Sequence, residues 1–141
     1  SAAAMRAWAV ADPARWALLY GSPVPGYAAP PEATIGPGTR VVVLLLGDCA
    51  AAYRSGELRA PSVVPDQSLG AGLVEMATES GAGELPPAVV LAATVLWATV
   101  IGGIGLEVFG QYGAGGLGPE GALFAAQIDS VLASLFSPAS G

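Results

Sequence analysis

Histidine and lysine are both missing from this chain of 141 residues, and Cys49 is its one cysteine. Without histidine, Ser-His-Asp triads, Cys-His pairs and the usual zinc sites cannot be assembled. A lone cysteine permits no internal disulfide. Asp48 beside it works against the thiolate that a redox sensor needs, so Cys49 reads as a small buried apolar residue. The basic residues are Arg6, Arg15, Arg40, Arg54 and Arg59, scattered along the chain, and the net charge is −6. Binding to phosphates needs clustered Arg and Lys, so this segment is a poor partner for DNA or RNA on its own. No enzyme, metal site or cofactor is expected.

What is present is apolar. Hydrophobic residues make up 53% of the chain and charged ones 11%, which rules out disorder and allows one domain with a real core. The alanine- and glycine-rich, lysine-free composition fits a GC-rich coding sequence. The opening SAAAMRAWAVADP has no basic region followed by an apolar core, so it does not read as a signal peptide. From Ala88 to Leu106 the chain carries no charge. That length qualifies as a membrane span. No Arg or Lys flanks it, Glu107 follows at once, and Gly102, Gly103 and Gly105 weaken it as a lone helix. A helix apolar on every side also suits the inside of a bundle and a subunit interface, and this is the reading preferred.

The pattern along the chain is all-α. Residues 1–10 read as the tail of a helix. Asp12-Pro13 is a helix start, with Trp16, Leu19 and Tyr20 on one face and Gly21 as a left-handed stop. Gly21 to Pro37 carries five prolines and reads as an ordered loop that buries Val24, Tyr27 and Ile35. A helix beginning between Thr34 and Thr39 and running to about Arg54 places Val42, Leu45, Leu46, Cys49 and Tyr53 at helical spacing, with a buried strand as the competing reading of Val41–Leu46. Gly56 stops it. Asp66 or Ser68 caps a shorter helix with Leu69, Leu73 and Met76 on one face, ended by Gly81 and Gly83. Pro86-Pro87 opens the long apolar helix, read as continuing through Phe109 to Tyr112. A glycine-rich link, Gly113 to Gly118, leads to a last helix from Pro119 with Phe124, Ile128, Val131, Leu132 and Leu135 as its stripe. Ser-Pro-Ala-Ser-Gly closes the chain as a frayed tail. The link matches GxGxxG, but a dinucleotide fingerprint follows a strand and this one follows a helix, so it reads as a turn. The last two helices form an antiparallel hairpin, and two such hairpins can pair as a four-helix bundle.

Several of these segments resemble one family. Asp12 to Tyr27, DPARWALLYGSPVPGY, is similar to the start of the effector domain in TetR-type regulators of the Trp-His-Gly subgroup. Leu96 to Tyr112 resembles the subgroup's penultimate helix, with Trp97 and Gly102 matching and Ile101 standing where the histidine belongs. GELRAP at Gly56 to Pro61 fits the link, and PEGALFAAQIDSVLASL resembles the closing helix. The resemblance implies one TetR-like C-terminal domain over 1–141, dimeric, all-α and cytoplasmic. It implies an internal cavity for a small effector, and operator DNA as a partner only through a helix-turn-helix that this sequence does not contain.

On that reading Trp16, Tyr20, Tyr53, Met76, Trp97 and Glu107 are the candidate ligand-binding residues, since such sites are mostly apolar with a few polar groups. Trp8, Asp48, Glu75 and Thr94 are weaker candidates. Ordinary core packing accounts equally well for each aromatic, and a solvated helix end for Glu107. Ala98, Gly102, Gly103, Phe124, Ile128, Val131 and Leu135 are the candidate dimer contacts: the pairs Ala98/Gly102 and Thr99/Gly103 are small residues four apart that let a second helix approach closely, and the other four belong to the apolar stripe of the last helix. The small pairs serve equally to admit a neighbour within the same subunit. The expected partners are a second copy of the chain and an apolar or weakly cationic effector, with no membrane. The alternatives are a dimerisation module with a filled core and a small single-span membrane protein.

Overall fold

Asp12-Pro13 splits the first twenty residues into two helices, α1 (Ala2–Ala11) and α2 (Pro13–Tyr20). α1 opens without a side-chain cap, whereas the Asp12 carboxylate accepts the Arg15 backbone N–H at 3.2 Å and Pro13 fills the first position of α2. The computed structural model describes residues 1–22, 31–113 and 117–135, with residues 31–38 described through their backbone alone. Four further helices follow: α3 (Pro31–Ser55), α4 (Gln67–Glu79), α5 (Pro87–Val108) and α6 (Ala122–Leu135). No strand occurs among the described residues. The all-α expectation therefore holds, and Val41–Leu46 lies inside a helix.

The chain divides into two compact units, residues 1–28 with 98–131, and residues 29–97 with 132–141. The second unit has the larger continuous core. Leu46, Cys49 and Ala50 of α3, Leu73 and Ala77 of α4, and Val89, Val90 and Ala93 of α5 meet there with Leu58, Ala82 and Leu85. Leu46, Val89 and Val90 are among its fully buried side chains. Each such aliphatic group contributes about 1.5–3 kcal/mol through burial. Val42, Leu45 and Tyr53 pack against the cluster, so the apolar spacing expected for α3 is the one that faces its core.

Helix ends in this unit are closed by residue type. The Asp66 carboxylate accepts the backbone N–H groups of Ser68 and Leu69, at 2.9 and 3.0 Å, and starts α4. α4 ends in a left-handed Gly81, φ 75°, with Ala82 N–H reaching the Ala77 carbonyl and Gly81 N–H reaching Thr78. Ala82 is fully buried and supplies the apolar contact that goes with this turn. Gly56, φ 79°, ends α3 as its sequence position suggests. Arg54, at the foot of α3, pairs with Glu84 on the link before α5, and Glu84 is held below the usual carboxylate range, first by its own backbone N–H and then by Arg54.

The structure corrects several boundaries. α3 begins at Pro31, well inside the stretch read as loop, and its bounds take in Pro37. A proline suits the first position, where its missing N–H has no helical partner. Pro37 instead forgoes one helical bond. Val24, Tyr27, the Ile35 side chain and the closing Ser-Pro-Ala-Ser-Gly lie outside the described residues. Leu19 is 67% exposed, so the buried line of α2 is Trp16 with Tyr20 one turn on. In α4 the buried pair is Leu73 and Ala77, four apart, while Leu69 and Met76 are exposed. α5 stops at Val108, before the expected end, because Gly110 turns left-handed at φ 68° and Gln111 N–H closes on the Leu106 carbonyl. α6 starts at Ala122, after a turn through Pro119 and a left-handed Gly121. α5 is long and apolar enough to cross a membrane, and 39% of its apolar window is buried within the protein.

Candidate functional site

The Asp12 cap fixes where α2 begins, and Trp16 follows one turn later as its fully buried residue. Trp16 meets Tyr20 at 4.4 Å between ring centroids and takes the edge of Trp8 at 6.3 Å. Trp8 is 36% exposed and marks the rim of this aromatic cluster. Burial raises the Tyr20 phenol above its ordinary pKa. The Trp16 indole N–H is buried and has no hydrogen-bond partner. Facing it is Gly105 of α5, where a Cβ would stand 3.9 Å from Trp16 Nε1. The cluster and Gly105 belong to the first unit.

In the same unit, Arg6 of α1 grips Glu107 near the end of α5. Nε donates to Oε2 at 2.7 Å and Nη2 donates to Oε1, a two-point pair of the geometry that guanidinium and carboxylate favour. The side chains are 14% and 27% exposed, so the pair is partly sheltered from water. Arg6 also reaches the exposed Glu120 at 3.6 Å. The hydrogen bond to Glu107 raises the already high Arg6 pKa, against the opposing effect of burial. Gly121 gives the guanidinium its room: a Cβ there would stand 2.9 Å from Nη1. Glu107 and Glu120 line a cleft of about 290 Å³ with Gly103, Tyr112, Phe124 and Gln127. Gln127 Nε2 donates to the Tyr112 hydroxyl at 3.3 Å, while Gln127 Oε1 is buried and unpaired.

A second, more open groove of about 570 Å³ runs between α5 and α6 of this unit. Ala98, Gly102 and Leu106 line it from α5, and Leu123, Ala126 and Ser130 from α6. Ala98 and Gly102 are exposed, whereas Gly103 is buried. A Cβ on Gly103 would come 2.8 Å from Gln127 Oε1 and 3.1 Å from the Phe124 ring, so its smallness is used inside this chain. Phe124 is buried, and Ile128 and Val131 are half-buried. Leu135, also buried, belongs to the other unit.

The predicted ligand set is thus divided. Trp16, Tyr20 and Glu107 fall in the first unit, and Tyr53, Met76 and Trp97 in the second. Tyr53 and Trp97 are half-buried, and Met76 is exposed at 37%. Glu107 alone of the six lines either cleft. Among the weaker polar candidates Asp48 and Glu75 are exposed, and Thr94 Oγ1 donates to the Leu91 carbonyl at 2.7 Å. Arg6, Glu120, Tyr112 and Gln127 were not foreseen. A legible signal existed only for Arg6, a single charge in an otherwise apolar α1 that needs an acid to shelter beside. Among the described residues no group of three or more Cys, Asp or Glu side chains could hold a metal ion.

Residues 1–131 match the family model described as tetracyclin repressor-like, C-terminal domain. The chain belongs to that family. Similar curated proteins are the HTH-type transcriptional regulators Mb1846 of Mycobacterium bovis and MT1864 and Rv1816 of Mycobacterium tuberculosis. Each is 47% identical over 135 residues, which is 95% of this chain and 57% of the relative. The chain therefore spans a little over half the length of the curated relatives it matches. What the match covers is the C-terminal domain of the tetracyclin repressor-like family. The apolar α5 lies wholly inside the matched residues.

Proposed function

We propose that this tetracyclin repressor-like domain senses a small, mainly apolar effector and dimerises in the cytoplasm. Through it, the effector would modulate operator binding by a helix-turn-helix part of the regulator. The Asp12–Tyr27 segment and the Trp97…Gly102 spacing favour the Trp-His-Gly subgroup, with Ile101 at the histidine position. The observation that carries the sensing role is the double tie of α1. Arg6 fastens it to Glu107 on α5, and Trp8 fastens it to the Trp16–Tyr20 cluster of α2. A DNA-reading part joined on the N-terminal side of this domain would feel such a change through α1. An effector must bind one arrangement of these helices better than another, otherwise nothing shifts.

The exposed Ala98, Gly102 and Leu106 groove supports pairing of the α5–α6 hairpin with that of a second copy. A dimerisation module without an effector is the second reading. It is favoured by the fact that neither cleft is lined by Trp16, Tyr20, Tyr53, Met76 or Trp97. Thermal shift across a panel of lipophilic compounds, with light scattering for mass, separates the two. A stabilised dimer supports sensing. A dimer that no compound stabilises leaves dimerisation alone, and a monomer removes both.

A further inference from the structure

We propose that the Trp16 indole N–H is the polar anchor for the effector. The effector is then a neutral, largely apolar molecule carrying a hydrogen-bond acceptor, such as a carbonyl, ester or ether oxygen. This rests on the effector-sensing reading above and assigns its ligand chemistry.

Buried N–H donors are almost always paired, because a donor taken from water without a partner costs stability. Trp16 is fully buried, yet its Nε1 has no partner. The other unpaired buried atom, Gln127 Oε1, has the Tyr112 hydroxyl within reach of its amide and so has a remedy inside the chain. Trp16 has none. Indole N–H is a donor only, so what satisfies it must accept. The wall opposite is Gly105, which presents no side chain, and a Cβ there would sit at ordinary contact distance, 3.9 Å, from both Nε1 and the Phe109 ring. Trp8 and Tyr20 also pack on Trp16, edge-on and tilted, and their rings suit an apolar frame.

The anchor also argues against a cationic effector, which the acidic net charge had suggested. The one carboxylate of the predicted set, Glu107, is already held at both oxygens by Arg6. A cation would have to displace that guanidinium, whereas an acceptor meets a vacant donor. Because Trp16 is closed off in the free protein, a ligand reaches it only by parting α2 from its neighbours. Binding and rearrangement next to α1 are then one event.

Indole resonances of 15N-labelled protein test this directly. The three tryptophans give three signals, and Trp16→Phe identifies the one that belongs to Trp16. In the free protein that signal is expected at a position typical of an unbonded N–H. A hydrogen-bonded signal overturns the proposal. Acetophenone and 2-octanone are expected to move the Trp16 signal downfield. α-Methylstyrene and 2-methyl-1-octene, in which a methylene replaces the oxygen, are not. Trp16→Phe should weaken ketone binding about tenfold, the worth of one hydrogen bond. Gly105→Ala fits without a clash and should leave the fold intact while abolishing the ketone effect. If panel compounds stabilise the domain and the Trp16 signal does not respond, the anchor fails and effector sensing stands. If none stabilises it, both fail.

Discussion

At Gly21 the backbone has an ordinary φ of −78°, yet a Cβ would stand 2.2 Å from the Ala17 carbonyl oxygen. The position was expected to be a left-handed stop, and glycine is indeed required, but for space rather than for φ. Gly21→Ala should lower stability by about 1–3 kcal/mol, since the oxygen it strikes is fixed in α2. A urea unfolding midpoint unchanged from the parent would contradict this. Cys49 makes a second prediction at this scale. Burial, and then the Asp48 charge, raise its thiol pKa. A raised folded-state pKa favours the protonated thiol. Its contribution to stability is present below the unfolded thiol pKa and lost as pH rises through the folded one. Alkylation by iodoacetamide at about pH 8 should therefore run at least about tenfold slower in the folded protein than in urea. Equal rates would show that the thiol is open to solvent.

Among the elements, α1 depends most visibly on one side chain. Arg6→Met keeps much of the length and removes the pair with Glu107 and the reach to Glu120. The expected loss is about 1–3 kcal/mol, the range for charge-assisted hydrogen bonds. Hydrogen exchange should quicken in α1 more than in α3 or α4. Combining Arg6→Met with Glu107→Gln should cost less than the sum of the two, because each alone already breaks the same pair. Additive losses would mean that the two residues are not coupled. At this scale the sequence was read best where one residue type sets the boundary, as at Asp12-Pro13, Asp66 and Gly56. It was read worst where a stripe had to be phased. Leu19 and Leu69 are large and apolar but point outward, and the small Ala77 takes the buried place in α4. Hydrophobic size marks a helix as amphipathic, but which side faces inward depends on what that side meets. Pro37 shows a different failure, since a long helix can absorb one lost bond that local propensity counts as a break.

For the whole molecule, the family was legible from short segments of sequence, and the candidate site only in part. Trp16, Tyr20 and Glu107 gather in one unit as named, but the Arg6–Glu107 pair joins residues 101 apart in the chain, which no local pattern encodes. Among the candidate interface residues, the small ones serve two ends. Gly103 admits Phe124 of its own chain, while Ala98 and Gly102 stay open. Gly102→Glu places a charge in the open groove without touching the buried Gly103 contact. It should shift the mass in light scattering from dimer toward monomer by at least about tenfold in dissociation constant, since burying an unpaired carboxylate in an interface is strongly disfavoured. A dimer of undiminished strength would place the subunit contact on another face.

Gly121 is the least conspicuous residue near this machinery. Its φ of 77° strains any side chain there, and a Cβ would stand 2.9 Å from the Arg6 guanidinium. A methyl group there would push Arg6 aside while leaving every charge in place. The hairpin turn thus acts as a stop screw for α1. A regulator could be detuned from this turn by bulk alone, with no change in its acids, its bases or its aromatic cluster.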